Sequence, residues 1–373
     1  MIGDVMRITA SCRAIEYARC VVTSGGQGGA MGTRVTSRRP FLAGMCALGA
    51  SIVAMEPLAS CSRLPIRVAP RPPPIRLGFL GPADPRTEHG WFSQALQKLN
   101  DRECRSYDID YERPSDASSY VGQATELVRR RPAAILTQGE AATAAALDTT
   151  DTIPIVFSMV DDPVEKRFVA SVARPGGNAT GLSNVSDDLV QKRVELVRDL
   201  VPTADRLAVL WSPSSSGQAR LVKRVDAAAD IQKLGVQEIQ VSDQALLRSE
   251  LRELDRGYFQ ALLVMPVWFF FEERAQILDA VSRNRLPAIY SSVGWVRAGG
   301  LVSYDGSLSE RATILAQYVD KILLGAKPAD LPVQQQSKFD LAINRRSAQS
   351  LGLTIPKSIM VQATEVVEDG DEL

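Results

Sequence analysis

From residue 75 onward, short apolar runs alternate with segments in which apolar residues recur at helical spacing. A strand of a parallel sheet is buried on both faces and reads as a short continuous apolar run, so this alternation predicts βαβ units. The strands predicted in the first half are 75–80, 107–111, 133–137, 153–157 and 180–182. The predicted helices between them carry apolar residues at Phe92, Leu96 and Leu99, at Val121, Leu127 and Val128, and in an alanine-rich segment from Ala141.

The pattern restarts near residue 206, after a predicted helix at 187–201. Arg206 and its apolar run repeat the arrangement of Arg76 and its run, and a proline loop follows both. Further strands are predicted at 236–241, 261–265, 288–291 and 301–304, with helices up to Leu234, through Leu246 and Leu254, and over 272–284. Two similar halves in tandem predict an α/β fold of two Rossmann-like lobes with parallel sheets. Because open parallel sheets bind ligands outside the carboxyl ends of their strands, we expect a ligand cleft between the lobes.

Residues 1–60 have the pattern of an export leader. The pair Arg38-Arg39 precedes an uncharged apolar stretch, 41–55, which is too short for the roughly 20 residues of a membrane-spanning helix. The stretch ends in Leu58-Ala59-Ser60-Cys61, which resembles the bacterial lipobox and predicts lipidation of Cys61. An ordinary cysteine at 61 and a Sec-type leader instead of a twin-arginine (Tat) signal are the alternatives. We interpret residues 1–30 as a misassigned start, with Met31 as the natural one, a hypothesis that N-terminal mapping would test.

Residues 61–74 are rich in proline and predict an extended tether between the lipid and the folded body. The whole chain has 43 basic and 43 acidic residues, so no net charge favours binding to nucleic acid. The leader contains six of the basic and three of the acidic residues, so its removal leaves a slightly acidic protein.

The composition also narrows the possible chemistry. The single histidine, His89, rules out a multi-histidine metal site and leaves a Ser-His-Asp triad no other histidine to use. The five cysteines form no CxxC pair, and neither a GxSxG nor an HExxH motif is present. We therefore expect no enzyme, no cofactor and no metal site.

Several longer strings carry a resemblance to a known family. They are IPIVF at 153–157, DPV at 162–164, VASVARPGGNATGLS at 169–183, LPAIY at 286–290, AGGLVSY at 298–304 and YVDKILLGAKPADLPV at 318–333. The chain resembles, over about 76–368, the ABC-transporter substrate-binding proteins that include the tryptophan/tyrosine-binding lipoproteins. The resemblance implies a type I periplasmic-binding fold, whose lobes close on a small molecule, such as an amino acid, and hand it to a membrane permease.

On this basis we expect a monomeric extracytoplasmic lipoprotein that meets the membrane only through its lipid. Lobe 1 is expected at 75–183 plus about 305–330, lobe 2 at 184–304, and a C-terminal segment, 331–373, packing across both. The chain is expected to cross between lobes, and to bend on closure, near 182–187, 299–305 and 328–332. A ligand-sensing partner of a membrane receptor or kinase is the alternative function, because the same cleft serves both roles.

In such folds the ligand contacts lie in the loops after the strands. The candidate ligand-binding residues are Gly139, Glu140, Ala141, Asp161, Ser212, Trp268, Tyr290, Tyr304 and Asp305. Helix N-termini suit a ligand carboxylate, acids suit an ammonium, and aromatic faces suit a ring or a cation. Glu140 stands where relatives commonly have a small or hydroxyl residue, which leaves the ligand class open, and its alternative role is to cap its own helix. Core packing is the alternative for the aromatic run 268–271.

Overall fold

The structure, a computed structural model, describes residues 5–8, 73–82, 92, 95–96, 106–114, 117–213, 217–254 and 257–368. The chain divides into one unit of residues 1–11 and 73–373 and another of residues 12–72, and every described residue belongs to the first. The twin-arginine pair, Cys61, His89 and the tether up to residue 72 lie outside the described residues.

The described residues form strands and helices in alternation. The strands are β1 (Val5–Ile8), β2 (Ile75–Leu80), β3 (Tyr107–Glu112), β4 (Ala134–Gln138), β5 (Ile155–Val160), β6 (Ala179–Ser183), β7 (Arg206–Trp211), β8 (Gly235–Gln240), β9 (Ala261–Val264), β10 (Ala288–Tyr290), β11 (Val302–Gly306), β12 (Gln334–Gln335), β13 (Phe339–Asn344) and β14 (Glu365–Val367). The helices are α1 (Tyr120–Arg129), α2 (Glu140–Thr149), α3 (Ser186–Leu200), α4 (Gln218–Ile231), α5 (Gln244–Glu253), α6 (Trp268–Glu272), α7 (Arg274–Arg283), α8 (Val293–Arg297), α9 (Leu308–Leu323), α10 (Arg345–Ser350) and α11 (Lys357–Gln362).

The strands form two sheets whose five central strands have the same order, β3-β2-β4-β5-β6 in the first and β8-β7-β9-β10-β11 in the second. The first sheet runs β1-β3-β2-β4-β5-β6-β12, and the second runs β14-β13-β11-β10-β9-β7-β8. All pairings are parallel except β1 with β3 and β11 with β13. The repeated strands β2 and β7 hold equivalent places, because each is flanked by the two strands that follow it in the chain. The predicted α/β fold of two parallel-sheet lobes is confirmed.

Both faces of each sheet are covered by helices, as the continuous apolar runs predict. Leu207 and Val209 of β7 pack in a cluster with α3 and α4. Ala208 and Leu210, which point to the opposite face, pack in a cluster with α5 and α7. The alternation follows from the two-residue period of a strand.

The chain passes between the two sheets three times. It leaves the first sheet after β6 and enters α3, which packs on the second sheet. It returns between β11 and α9, which packs on β5 and β6, and crosses again between β12 and β13. The third crossing therefore lies at 336–338 and not at the predicted 328–332, because Gln334 and Gln335 still pair with β6.

Other elements differ from the sequence expectations. The helix predicted over 272–284 is α7, which spans Arg274–Arg283, and the aromatic run 268–271 forms a separate short helix, α6, that was not predicted. Strands β13 and β14 were not predicted, and the segment after 331 contributes strands to both sheets. No part of residues 1–30 was predicted to be structured, but Val5–Ile8 form an edge strand against β3. Among the helices of the described residues, none is long and apolar enough to span a bilayer.

Candidate functional site

In each sheet the strand order reverses direction at one point, between β2 and β4 and between β7 and β9. Ligands of open α/β sheets bind outside the carboxyl ends of the strands at such a point. In the first lobe Gly81 follows β2, and a Cβ built there would lie only 2.7 Å from Cβ of Gln138, the last residue of β4. Glycine is therefore required where these two strand ends meet.

Helix α2 begins directly after β4, at the first of these points. Gly139 has φ of 89°, a left-handed conformation that suits glycine, and its N–H donates to the Ser158 carbonyl at 2.9 Å. Glu140 opens the helix, where its charge is favourable, and pairs with Lys166 at 3.1 Å. Ala141 lies exposed in the same turn. The structure thus gives Glu140 a cationic partner in the first lobe in addition to its place at the helix start.

Asp161 follows β5 on the same edge of the first sheet. The Ser186 hydroxyl donates to its Oδ1 at 2.7 Å, and Arg220 Nη2 of the second lobe lies 3.2 Å from its Oδ2. Burial raises the pKa of the Asp161 carboxyl, the Glu140 charge adds to this rise, and Ser186 and Arg220 oppose it. Asp161 is therefore a partly buried carboxylate that is stabilised by a cation.

Trp268 opens α6 on the facing edge of the second sheet. Its ring lies 5.3 Å from the guanidinium carbon of Arg113, a residue of the first lobe, which also pairs with Glu272 of α6. The indole Nε1 is buried and has no hydrogen-bond partner. Trp268 thus presents an aromatic face to a first-lobe cation and an N–H without an acceptor.

Tyr290 ends β10, but its side chain lies inside the second lobe. It is 0% exposed and stacks on Trp295 at 4.7 Å between centroids. Burial raises the pKa of its phenol, and the hydroxyl has no hydrogen-bond partner. Ser212, which follows β7, is also fully buried. Both candidates lie at the expected edge of the sheet, but their side chains are buried in the second lobe and do not reach its surface.

Tyr304 and Asp305 lie on β11 next to the second crossing. Arg193 of α3, which is 2% exposed, donates from Nε to the Tyr304 carbonyl at 2.8 Å and pairs through Nη2 with Asp305 at 3.4 Å. Burial raises the pKa of Asp305, and Arg193 and Arg311 oppose that rise. The Tyr304 ring stacks on Phe339 at 5.8 Å. Tyr304 and Asp305 therefore both contact the buried Arg193, and Tyr304 also packs against β13 next to the crossing.

The structure therefore brings Glu140 and Asp161 together on the first lobe and sets Trp268 on the second. It also adds residues that the sequence reasoning missed, namely Arg113, Arg220 and Gln218. Gln218 is 3% exposed, its Nε2 donates to the Pro266 carbonyl at 3.2 Å, and its Oε1 has no partner. The position of Gln218 at the start of the helix after β7 could have identified it from the sequence. The two arginines contact residues of the other lobe, and no local sequence pattern indicates such contacts.

Comparisons with known proteins agree with this geometry. A family model described as ABC transporter substrate binding protein matches residues 81–367. A tyrosine-binding protein of Clostridioides difficile (strain R20291) is 24% identical over 263 residues, which cover 70% of this chain and 75% of that protein.

Solved structures of the same bilobed type I periplasmic-binding fold are also similar. An ABC domain from Streptococcus pneumonia in complex with L-Trp is 23% identical, with 79% of this chain and all of that chain covered and a TM-score of 0.70. A ligand-free, open substrate-binding protein with adhesive properties from Clostridium difficile is 21% identical, with 79% and 99% covered and a TM-score of 0.59. At these identities the likeness establishes the fold.

Proposed function

Because this chain belongs to the ABC transporter substrate binding protein family, we propose that it is the extracytoplasmic solute-binding component of an ABC importer. It captures a small molecule between its lobes and delivers it to a permease. The observation that carries the proposal is the family match over 81–367, which spans all three crossings, the second sheet and the first sheet except β1 and β2. The carboxyl edges at the two reversal points supply the walls of the site.

We propose an amino acid or a closely related compound as the ligand. The tyrosine-binding relative and the L-Trp complex support this class. The chemistry of the two walls supports it as well, since the partly buried Asp161 suits an ammonium group and Trp268 suits a ring. Groups from both lobes then contact one ligand, and its higher affinity for the closed arrangement favours closure.

We further propose that Cys61 carries a lipid and that the leader directs export by the Tat route. The support is the order and spacing of Arg38-Arg39, the apolar stretch and Leu58-Ala59-Ser60-Cys61 in the sequence. The variant Cys61→Ser should lose its place in the membrane fraction of the producing bacterium. Retention of that variant in the membrane would contradict the anchor.

Ligand binding is tested with the protein purified under native conditions. Native mass spectrometry should reveal a co-purifying small molecule, and a panel of amino acids, amines and small acids should include a compound that raises the unfolding temperature. A ligand at about 100 times its Kd stabilises the folded state by about 2.7 kcal/mol. Small-angle scattering should show a more compact protein with that ligand. If no compound binds and no ligand co-purifies, the solute-binding proposal fails.

A further inference from the structure

We propose that Asp161 binds the ammonium group of the ligand, and that Arg220 is a built-in competitor that occupies this carboxylate until the ligand displaces it. The inference rests on the proposed function, because it requires a small molecule between the lobes. It adds a chemical requirement, an amine on the ligand, and a role for a residue of this chain.

Arg220 reaches from one lobe to the other. It lies in the first turn of α4, in the second lobe, and its Nη2 is 3.2 Å from Oδ2 of Asp161, which follows β5 of the first sheet. Its Nη1 pairs at the same time with Asp187, in the first turn of α3. The Arg220 side chain is 47% exposed, whereas that of Asp161 is only 22% exposed. The more exposed partner is therefore the arginine, and the more buried partner is the carboxylate.

Arg220 can leave Asp161 without losing its own ion pair, because Asp187 remains beside it. Asp187 in turn is also paired with Arg224, at 3.0 Å. An exposed ion pair of this kind contributes little to stability. Displacement of Arg220 from Asp161 is therefore a small cost that a well-placed ligand cation can offset.

Asp161 depends on a cation more than Arg220 depends on Asp161. Burial and the nearby Glu140 charge both disfavour the ionised carboxyl, while the Ser186 hydroxyl and Arg220 favour it. Among the described residues, Arg220 is the cation within ion-pair distance of Asp161. An ammonium group is compact and has three donors, so it can bind the Asp161 carboxylate next to the Ser186 hydroxyl. The guanidinium of Arg220 is larger and contacts this carboxylate from the second lobe.

The opposite role for Arg220 is direct binding of a ligand carboxylate, as arginines commonly do. The two roles predict opposite effects of removing the guanidinium. A competitor, once removed, leaves Asp161 free and strengthens the binding of an amine. A carboxylate-binding residue, once removed, weakens the binding of every acid, with or without an amine.

The experiment is isothermal titration calorimetry, which measures the Kd of each ligand for the wild type and for the variants Arg220→Gln, Arg224→Gln and Asp161→Asn. The ligands are L-tryptophan, L-tyrosine and L-leucine, each compared with the corresponding acid that lacks the amino group. Arg224→Gln is the matched control, since it removes the same charge one turn further along α4 and contacts Asp187 but not Asp161. Arg220→Gln should bind the amino acid about two- to fivefold more tightly. Arg224→Gln should bind it as the wild type does.

Asp161→Asn should bind the amino acid about 10- to 100-fold more weakly and the desamino acid no more weakly than the wild type. Far-ultraviolet circular dichroism and thermal unfolding establish that each variant is folded. The inference is overturned, with the proposed function intact, if the wild type binds an amino acid of the series but Arg220→Gln binds it more weakly. It is also overturned if Asp161→Asn weakens the binding of the amino acid and of its desamino acid by the same factor. If nothing in the series or in the broader panel binds, the proposed function itself fails.

Discussion

Gly300 lies against a chain of aromatic side chains that leads from the second lobe toward the candidate site. A Cβ at this position would lie 2.7 Å from Cε2 of Tyr290 and 2.9 Å from the Trp295 carbonyl oxygen. Trp295 contacts Phe271 edge-on at 5.8 Å, and Phe271 contacts Trp268 at 5.5 Å. The position of Trp268 at the edge therefore depends on close packing that begins at a residue without a side chain.

We expect Gly300→Ala to lower the free energy of unfolding by about 1–3 kcal/mol, because the methyl group must displace a fully buried ring or a backbone carbonyl. Urea denaturation measures the difference. Gly177→Ala is the control, since a Cβ there meets nothing within 4 Å, and it should change stability by less than about 0.5 kcal/mol. Equal effects of the two substitutions would contradict the packing argument.

At the scale of elements, Arg198 joins the ends of α3 and α4. Its guanidinium donates to the carbonyls of Pro202 at 2.7 Å and Ala204 at 2.9 Å, both just after α3. On its other side Nε donates to the carbonyl of Gln232, just after α4, at 3.1 Å. These carbonyls lie just beyond the helix ends, and the planar fork of one arginine donates to all three of them.

We expect Arg198→Lys to lose about 1–3 kcal/mol of folding free energy, because one ammonium cannot reach carbonyls on both sides. Arg129→Lys is the matched control, because Arg129 also lies in the last turn of a helix but makes an exposed pair with Glu126. That control should cost no more than about 0.5 kcal/mol. Chemical denaturation of both variants measures the loss of folding free energy. If Arg198→Lys loses no more than Arg129→Lys, the guanidinium hydrogen bonds of Arg198 do not stabilise the fold.

At the scale of the whole molecule, the third crossing between the lobes is hydrogen-bonded to the other two. The Gln336 N–H donates to the Ser183 carbonyl at 3.1 Å, and the Ser307 N–H donates to the Lys338 carbonyl at 2.8 Å. Glu310, in the first turn of α9, accepts from the N–H groups of Ser337 at 3.1 Å and Lys338 at 2.7 Å. One carboxylate thus ties the third crossing to the helix that follows the second.

The pKa of Glu310 lies below its usual value of 4.5: burial acts to raise it, but the hydrogen bonds from Ser337, Lys338 and Gln336 together outweigh burial. A lowered folded-state pKa means that the contribution of Glu310 is complete above about pH 4.5 and is lost as the pH falls through the folded-state value. We expect Glu310→Gln to reduce the free energy of unfolding by about 1–3 kcal/mol at pH 7 and by less near pH 4.

Denaturation of the wild type and Glu310→Gln across this pH range measures the difference. Glu126→Gln, which alters an exposed pair, is the control and should lower the free energy of unfolding by no more than about 0.5 kcal/mol at pH 7. A stability gap that stays constant from pH 7 to pH 4 would exclude the proposed role of the Glu310 charge.

Much of this organisation was predicted from local patterns. The strand predicted at 75–80 is β2, and the predicted repeat near Arg206 is β7, its equivalent in the second sheet. Candidate positions such as Glu140, Asp161 and Trp268 lie at the carboxyl ends of strands, as the βαβ pattern indicates. The strands after residue 331 were missed because their pairing partners lie far away in the chain.

The sequence by itself determined the two α/β halves, the family resemblance and the edge of each sheet at which a ligand is expected, because the spacing of apolar residues sets strand and helix and the βαβ order sets direction. Only the tertiary structure decided which side chains meet at that edge. It buried Tyr290, it set Arg113 beside Glu272 across 159 positions and it set Arg220 beside Asp161 across 59. Such contacts depend on how two separately patterned lobes pack, and a local period carries no information about that packing.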